Sequence, residues 1–267
     1  MDITSLQNSR VKSIVRLRDD KRQRQSDGLM LVEGFDEISL ALAAGHFPRT
    51  LLIAPELITR EIKDISTEIF TVSTDVFRKI SYRENPDGWL AVFPVPRASL
   101  DDLKLSQSPL VIVAESIEKP GNLGAMLRTA DAAGVDAVIV CDPRVDVYSP
   151  NVVRASRGAI FTVPVIESNS GQALVFLQRL GIRVLAASPS ADEEYTRQDL
   201  RGPLAVVVGT EDEGLSEFWL SQADLKVKIP MWGQVNSLNV SVSTALIVYE
   251  ALRQRGQTVP QVESNQS

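Results

Sequence analysis

The chain has 267 residues, 44% hydrophobic and 23% charged, with a formal net charge of −6, the profile of a folded protein with a large core and not of a disordered or collagenous one. No apolar run approaches the roughly 18 residues that span a bilayer, so no membrane partner is expected. One cysteine, Cys141, excludes an internal disulfide, and one histidine, His46, leaves no material for a His-based metal cluster or a Ser-His-Asp triad.

The opening MDITSLQNSRVK has neither an apolar h-region nor a small-residue cleavage site, so a reducing cytoplasm is the expected compartment. Charge is uneven along the chain. Residues 1–24 carry seven basic side chains against three acids, a local +4 that leaves −10 for the other 243 residues. A basic segment on an acidic body suggests a polyanion contact at that end; the plain alternative is a solvated basic helix. LMLVEG then reads as a strand over 29–32 with a turn at Gly34, and an amphipathic helix follows to near Gly45. TLLIA, a polar helix, EIFTVS and a segment through GWLAVFPVP complete a small mixed α/β unit, residues 1–97. Residues 98–108, polar and bounded by prolines, read as a linker.

From Leu110 onward apolar runs alternate with helical segments. Strands are expected at 110–114, 137–141, 161–165, 182–187, 204–208 and 225–229, and helices at 123–133, 150–157, 171–180, 215–222 and about 238–255. Strand alternating with helix implies an α/β fold: a mainly parallel sheet with helices on both faces and ligands outside the carboxyl ends of its strands. This second unit spans 109–256, and the polar tail 257–267 is expected to be disordered.

Three loops at strand ends carry candidate chemistry. In GNLGAMLRTADAAG, Leu123, Met126, Leu127, Ala130 and Ala133 form the buried face of a helix. Asn122 is placed to cap that helix, Gly124 permits close approach of a chain or ligand, and Arg128 lies off the apolar stripe. In VVVGTEDEGLSEFWL, Glu211 follows the strand exit at Gly209, while the neighbouring acids suit a helix N-terminus. In IPMWGQVNSLNVSVSTALIV, Asn236 or Ser237 is placed to cap the last helix, and Asn239 reads as a buried polar group in need of partners.

Taken together, these loops closely resemble the three motifs of the SpoU (TrmH-like) branch of the SPOUT methyltransferases. The residues are Asn122, Gly124, Arg128, Thr129 and Ala130; then Gly209, Thr210, Glu211 and Gly214; then Ile229, Pro230, Met231, Ser237, Leu238, Asn239, Val240 and Ser241. The N-terminal unit is similar to the family's L30e-like substrate-binding domain through Asn8, Lys12, Leu17, Arg18, Arg24, LVEG at 31–34 and GWLAV at 88–92, with Met30 where an aromatic is usual. The resemblance implies transfer of a methyl group from S-adenosylmethionine to a ribose 2′-hydroxyl of RNA, a C-terminal trefoil knot, and a homodimer in which two subunits complete each site. It implies that Gly209, Ile229 and Leu238, with Ala187 and Ser188 beside them, hold the cofactor. It further implies that Arg128 acts as the general base, with Asn122, Glu211, Ser237 and Asn239 positioning it, the ribose and the cofactor.

Arg128 has two readings, a general base or a clamp that stabilises developing negative charge, because a guanidinium is normally always protonated. Lys12, Arg18 and Arg24 are expected to contact RNA phosphates. By the same family resemblance, the extra N-terminal domain favours ribosomal RNA, and 23S rRNA first, over tRNA, because minimal tRNA-modifying relatives often lack it. A tRNA enzyme, an enzyme of antibiotic resistance and a catalytically silent RNA-binding assembly factor are the alternatives. No metal is expected, Cys141 reads as core, and His46 reads as surface.

Overall fold

A computed structural model describes residues 2–62, 65–210 and 212–256. The tail 257–267 and Glu211 lie outside the described residues. The basic segment forms two helices, α1 (Ser9–Asp19) and α2 (Lys21–Asp27), after a short strand β1 (Asp2–Ile3). Asn8 caps α1 by accepting from the Arg10 N–H, and Asp20 ends α1 while capping α2 through the Arg22 N–H. Val11, Ile14 and Leu17 bury one face of α1, which leaves its cations to the opposite side.

Strand β2 (Leu29–Glu33), helix α3 (Phe35–Ala43), strands β3 (Thr50–Ile53) and β4 (Glu68–Val72), helix α4 (Thr74–Ile80) and strand β5 (Trp89–Pro94) complete the first unit. Its sheet runs β1-β4-β3-β5-β2, with β5 antiparallel to both neighbours. The polar helix expected between TLLIA and EIFTVS is absent among the described residues, which form turns there. Pro55 follows the strand directly, and Ile58, Ile62 and Ile65 fold back onto the core. Helix α4, which the sequence reading passed over, begins at the Ser73 cap.

The second unit contains β6 (Leu110–Glu115), α5 (Pro120–Ala133), β7 (Ala137–Cys141), α6 (Pro150–Ser156), β8 (Val165–Ser168), α7 (Ser170–Arg179), β9 (Arg183–Ala187), β10 (Glu193–Glu194), β11 (Leu204–Val208), α8 (Glu217–Gln222), β12 (Leu225–Lys228) and α9 (Val240–Arg255). The seven strands form an all-parallel sheet in the order β10-β12-β9-β11-β6-β7-β8. The order reverses beside β6, which creates the switch point where open α/β sheets take ligands.

The strand expected at 161–165 is displaced to Val165–Ser168, and Ala159–Phe161 is a 3-10 turn. Its hydrophobicity serves another contact: Phe161 packs on Phe93 of the first unit, with ring centroids 5.3 Å apart. One continuous apolar core joins the two units there, and it includes Met30, Ile38, Val152 and Ile160. Segment 98–108 is also tied down, since Leu100, Leu103 and Leu105 pack on the second sheet's other core and Asp136 accepts from the Ser106 N–H at 2.6 Å.

Candidate active site

Four neighbouring strands, β12, β9, β11 and β6, end at Lys228, Ala187, Val208 and Glu115. Because they are parallel, their exits lie on one edge, about 14 Å from first to last at the usual strand spacing. Of the sequence-selected residues, Ala187, Ser188, Gly209 and Ile229 lie at or just beyond these exits, and Ser237, Leu238 and Asn239 lie at the far end of the loop from β12 to α9.

Helix α5 starts at Pro120, where proline's missing N–H costs nothing, and Lys119 is its N-cap. Asn122 is therefore in the first turn and is not the cap. Its side chain is nine-tenths buried, and its Oδ1 accepts from Asn239 Nδ2 at 3.0 Å. Asn239, expected to be buried, is exposed and is itself the cap of α9 in place of Asn236 or Ser237. Its Oδ1 accepts from the Ser241 N–H (3.0 Å) and hydroxyl (2.6 Å). One side chain thus starts α9 with its oxygen and fastens the preceding loop to α5 with its nitrogen. The buried Asn122 amide is costly to leave unpaired, while Asn at 239 is favoured because its oxygen caps α9.

Gly124 admits a protein neighbour, not a ligand. A Cβ there would meet the Ala155 Cβ at 2.3 Å, so α5 and α6 touch backbone to backbone. Arg128 lies six residues beyond Asn122, about 9 Å along the helix and about 120° around it. It is exposed and points into an open groove of about 760 Å³ between α5 and α9, which Arg157, Val242, Leu246 and Tyr249 also line. Among the described residues Arg128 has no hydrogen bond or ion pair. The structure therefore joins Asn122 to Asn239, with Ser237 and Leu238 just before it in the chain, and leaves Arg128 of the same chain without contact to this pair, in the groove that Ser241 also lines.

Gly209 lies against Gly214 and Leu215. A Cβ on Gly209 would come 2.0 Å from the Gly214 carbonyl oxygen, so this strand exit admits only glycine. Thr210 and Gly214 close the turn through two backbone hydrogen bonds of 3.0 and 3.1 Å. Asp212 and Glu213 belong to this turn and not to the first turn of α8, which begins only at Glu217. The carboxylate that meets the start of α8 is Glu115, which accepts from the Ser216 N–H (2.9 Å) and hydroxyl (2.6 Å). Sequence reasoning missed this residue, although a charged side chain closing the apolar run LVIVAE was a usable signal. Arg144, also missed, pairs with Glu118 and reaches Glu213 at 3.7 Å, so it braces the loops after β6 and β11.

At the next strand exit the Ser188 N–H donates to the Val227 carbonyl at 2.9 Å. Between Pro230 and Leu238 no backbone–backbone hydrogen bond forms among the described residues, and Gly233 faces open space. Free backbone donors and acceptors beside the partly buried Ile229 and the exposed Leu238 fit a ligand with an adenine ring and a polar amino-acid tail. Cys141 ends β7 fully buried, and burial pushes its thiol up to about 12, so it is core and not a nucleophile.

The three N-terminal candidates separate sharply. Lys12 is exposed on α1. Arg18 is largely occupied: its guanidinium binds Asp19 at 2.7 Å and donates to the Lys79 and Ser81 carbonyls. Arg24 is 5% exposed and is not a phosphate ligand. Its fork binds Asp146 at 2.6 Å and the Leu17 and Arg18 carbonyls, which clamps the first unit to the second.

Residues 109–249 match the family described as SpoU rRNA Methylase, and residues 8–91 match the MRM3-like substrate binding domain. The chain is 31% identical over 249 residues to the 23S rRNA (guanosine(2553)-2'-O)-methyltransferase RlmP of Bacillus subtilis strain 168, covering 92% of this chain and 97% of that protein. A crystal structure of an RNA 2'-O ribose methyltransferase superimposes with a TM-score of 0.85 at 41% identity, over 96% of this chain and 100% of that one. An AdoMet-bound rRNA methyltransferase from Sinorhizobium meliloti superimposes with a TM-score of 0.86 at 28% identity, over 95% and 97% of the two chains.

Proposed function

The chain belongs to the SpoU rRNA methylase family, and from that premise we propose that it transfers a methyl group from S-adenosylmethionine to the ribose 2′-hydroxyl of a 23S rRNA nucleotide. The observation that carries the target is the length of the match: both units, and not the methylase body alone, align with a 23S rRNA enzyme over 92% of the chain. S-adenosylmethionine supplies a methyl group on a sulfonium sulfur. Backbone groups at Gly209, Ile229 and Leu238 hold it, with Ala187 and Ser188 alongside. The small residues Ala187, Ser188 and Gly209 and the free backbone of the 230–238 loop support this assignment.

The chain's own task is to present the hydroxyl in line, near 3 Å, and to stabilise charge as its proton is shared. We assign the first part to Asn122, Ser237 and Asn239, whose loop is fixed by the 3.0 Å amide contact, together with Glu211. Arg128 takes the second part as a charged clamp on the adjacent phosphate and the developing alkoxide, because a guanidinium does not give up its proton at working pH.

Two subunits complete the site in this reading. Val242, Leu246 and Tyr249 leave α9 as an exposed apolar stripe at helical spacing, 46, 38 and 50% accessible, in the same groove as Arg128. A second copy laid on that groove buries the stripe and carries Arg128 to the partner's site. The trefoil knot of the family is part of the same reading. It is supported by Arg255 at the end of α9, which binds the Ser108 carbonyl at 2.8 Å and also the Gly202 carbonyl, so the helix end is held between two distant segments. Lys12 and its exposed neighbours on α1 and α2 supply the phosphate contact, in a cytoplasmic enzyme without a metal.

The test is incubation of purified protein with labelled S-adenosylmethionine and separated 23S, 16S and transfer RNAs, followed by mapping of alkali-resistant riboses. Label at a single 23S ribose is expected. Label confined to tRNA, or on a base, overturns the proposal.

A further inference from the structure

The loop between β12 and α9 carries a side chain that neither packing nor the assigned chemistry explains. Of the three tryptophans, Trp89 is 5% exposed and Trp219 is fully buried, whereas Trp232 is 97% exposed. A single exposed hydrophobic residue carries little information by itself. The position of this one carries more. It lies three residues after Ile229 and six before Leu238, within the loop that the Asn239 amide fastens to α5. Gly233 beside it has open space around its α-carbon, and Val235 and Leu238 of the same loop are 63% and 37% exposed. The loop therefore presents an indole and two apolar neighbours to solvent at the sheet edge where the ribose must arrive.

This surface adjoins the α9 stripe through Ser241, which lines the groove and bonds to Asn239, but Trp232 itself does not line it. The groove lined by Arg128, Val242, Leu246 and Tyr249 includes no residue of the 230–239 loop. The enzyme's substrate supplies a matching chemistry. Sequence-specific RNA recognition mostly targets single-stranded loops and bulges, where a splayed-out base needs a new stacking partner. An aromatic face meets that need for any base, because every base has a π-face.

We infer that Trp232 is a stacking platform for an unpaired nucleobase of the RNA substrate, next to the ribose that is methylated. The inference rests on the RNA reading above. It makes Trp232 a substrate-binding residue and gives it no part in holding the cofactor or the dimer.

Trp232→Ala and Trp232→Phe are compared with the parent protein on the 23S rRNA fragment that the parent methylates. For the Ala variant, KM for the RNA is expected to rise about 10-fold, and the Phe variant to keep most of the affinity. Cofactor affinity by calorimetry and oligomeric state by sedimentation are expected to be unchanged. In the parent, acrylamide quenching of indole emission, which reports mainly on Trp232 because the other two are buried, is expected to fall when the RNA fragment is added. An unchanged KM for the Ala variant overturns the inference, as does a Phe variant as weak as Ala, lost cofactor binding, or dissociation into monomers. If the parent methylates no RNA at all, the RNA reading itself falls and the inference with it.

Discussion

Arg24 and Arg128 are chemically identical, and the fold uses them in opposite ways. Arg24, on the basic N-terminal segment, is 5% exposed and spends its whole fork on Asp146 and two backbone carbonyls. Arg128, on a helix of the acidic body, stands exposed in a groove with no ionic partner among the described residues. Of the seven cations in residues 1–24, Arg10, Arg18 and Arg24 are in ion pairs. The local +4 therefore overstates the charge offered to RNA. Charge counted along a chain measures surface charge only after buried forks and ion pairs are removed, and here that removal leaves Lys12 and its exposed neighbours as the cations offered to solvent.

The contrast is broken most forcefully at Arg24. Arg24→Ala leaves Asp146 without its partner at a contact that is largely out of water, and is expected to cost about 3–5 kcal/mol in urea unfolding. A loss below about 1 kcal/mol would return Arg24 to the surface. Glu115→Ala strands the Ser216 N–H and hydroxyl and is expected to cost about 1–3 kcal/mol, measured in the same way. Asn122→Ala removes the amide contact to Asn239, which is itself worth about 1 kcal/mol, and is expected to lower methyl transfer far more than that figure implies, since it frees the loop that carries Ser237 and Asn239.

On the RNA side, Lys12→Ala is expected to lower the slope of log affinity against log salt by about 0.7–0.9, one phosphate contact, and a folded Arg18→Gln protein to leave that slope unchanged. The smallest effect is at Cys141. Its thiol, raised to about 12 by burial, stays protonated through the range near 8.5 in which an ordinary cysteine ionises. The native protein is therefore expected to resist iodoacetamide at that pH, and the urea-unfolded chain to react.

Much of the fold could be read from the sequence because burial and periodicity agreed. AVIVC and LAVVV became β7 and β11 residue for residue, since a β-branched run buried on both faces has few other uses. FTVPV failed for the opposite reason: its apolar side chains answer to the first unit, a contact over long sequence separation that no local pattern reports. The caps failed similarly. Lys119 precedes Pro120, and proline's fixed geometry sets the start of α5 two residues ahead of the better capping side chain at Asn122. That displacement leaves Asn122 free to meet Asn239. The sequence motifs named both asparagines, and only the fold shows that they bind each other.

Arg128 decides whether the exposed half of the comparison is the working half. Methyl transfer from labelled S-adenosylmethionine to the 23S rRNA fragment is measured for Arg128→Ala beside the parent protein, at saturating cofactor. A fall in kcat of about 100-fold or more with an unchanged thermal midpoint is the predicted result. Turnover within a few-fold of the parent would contradict the account.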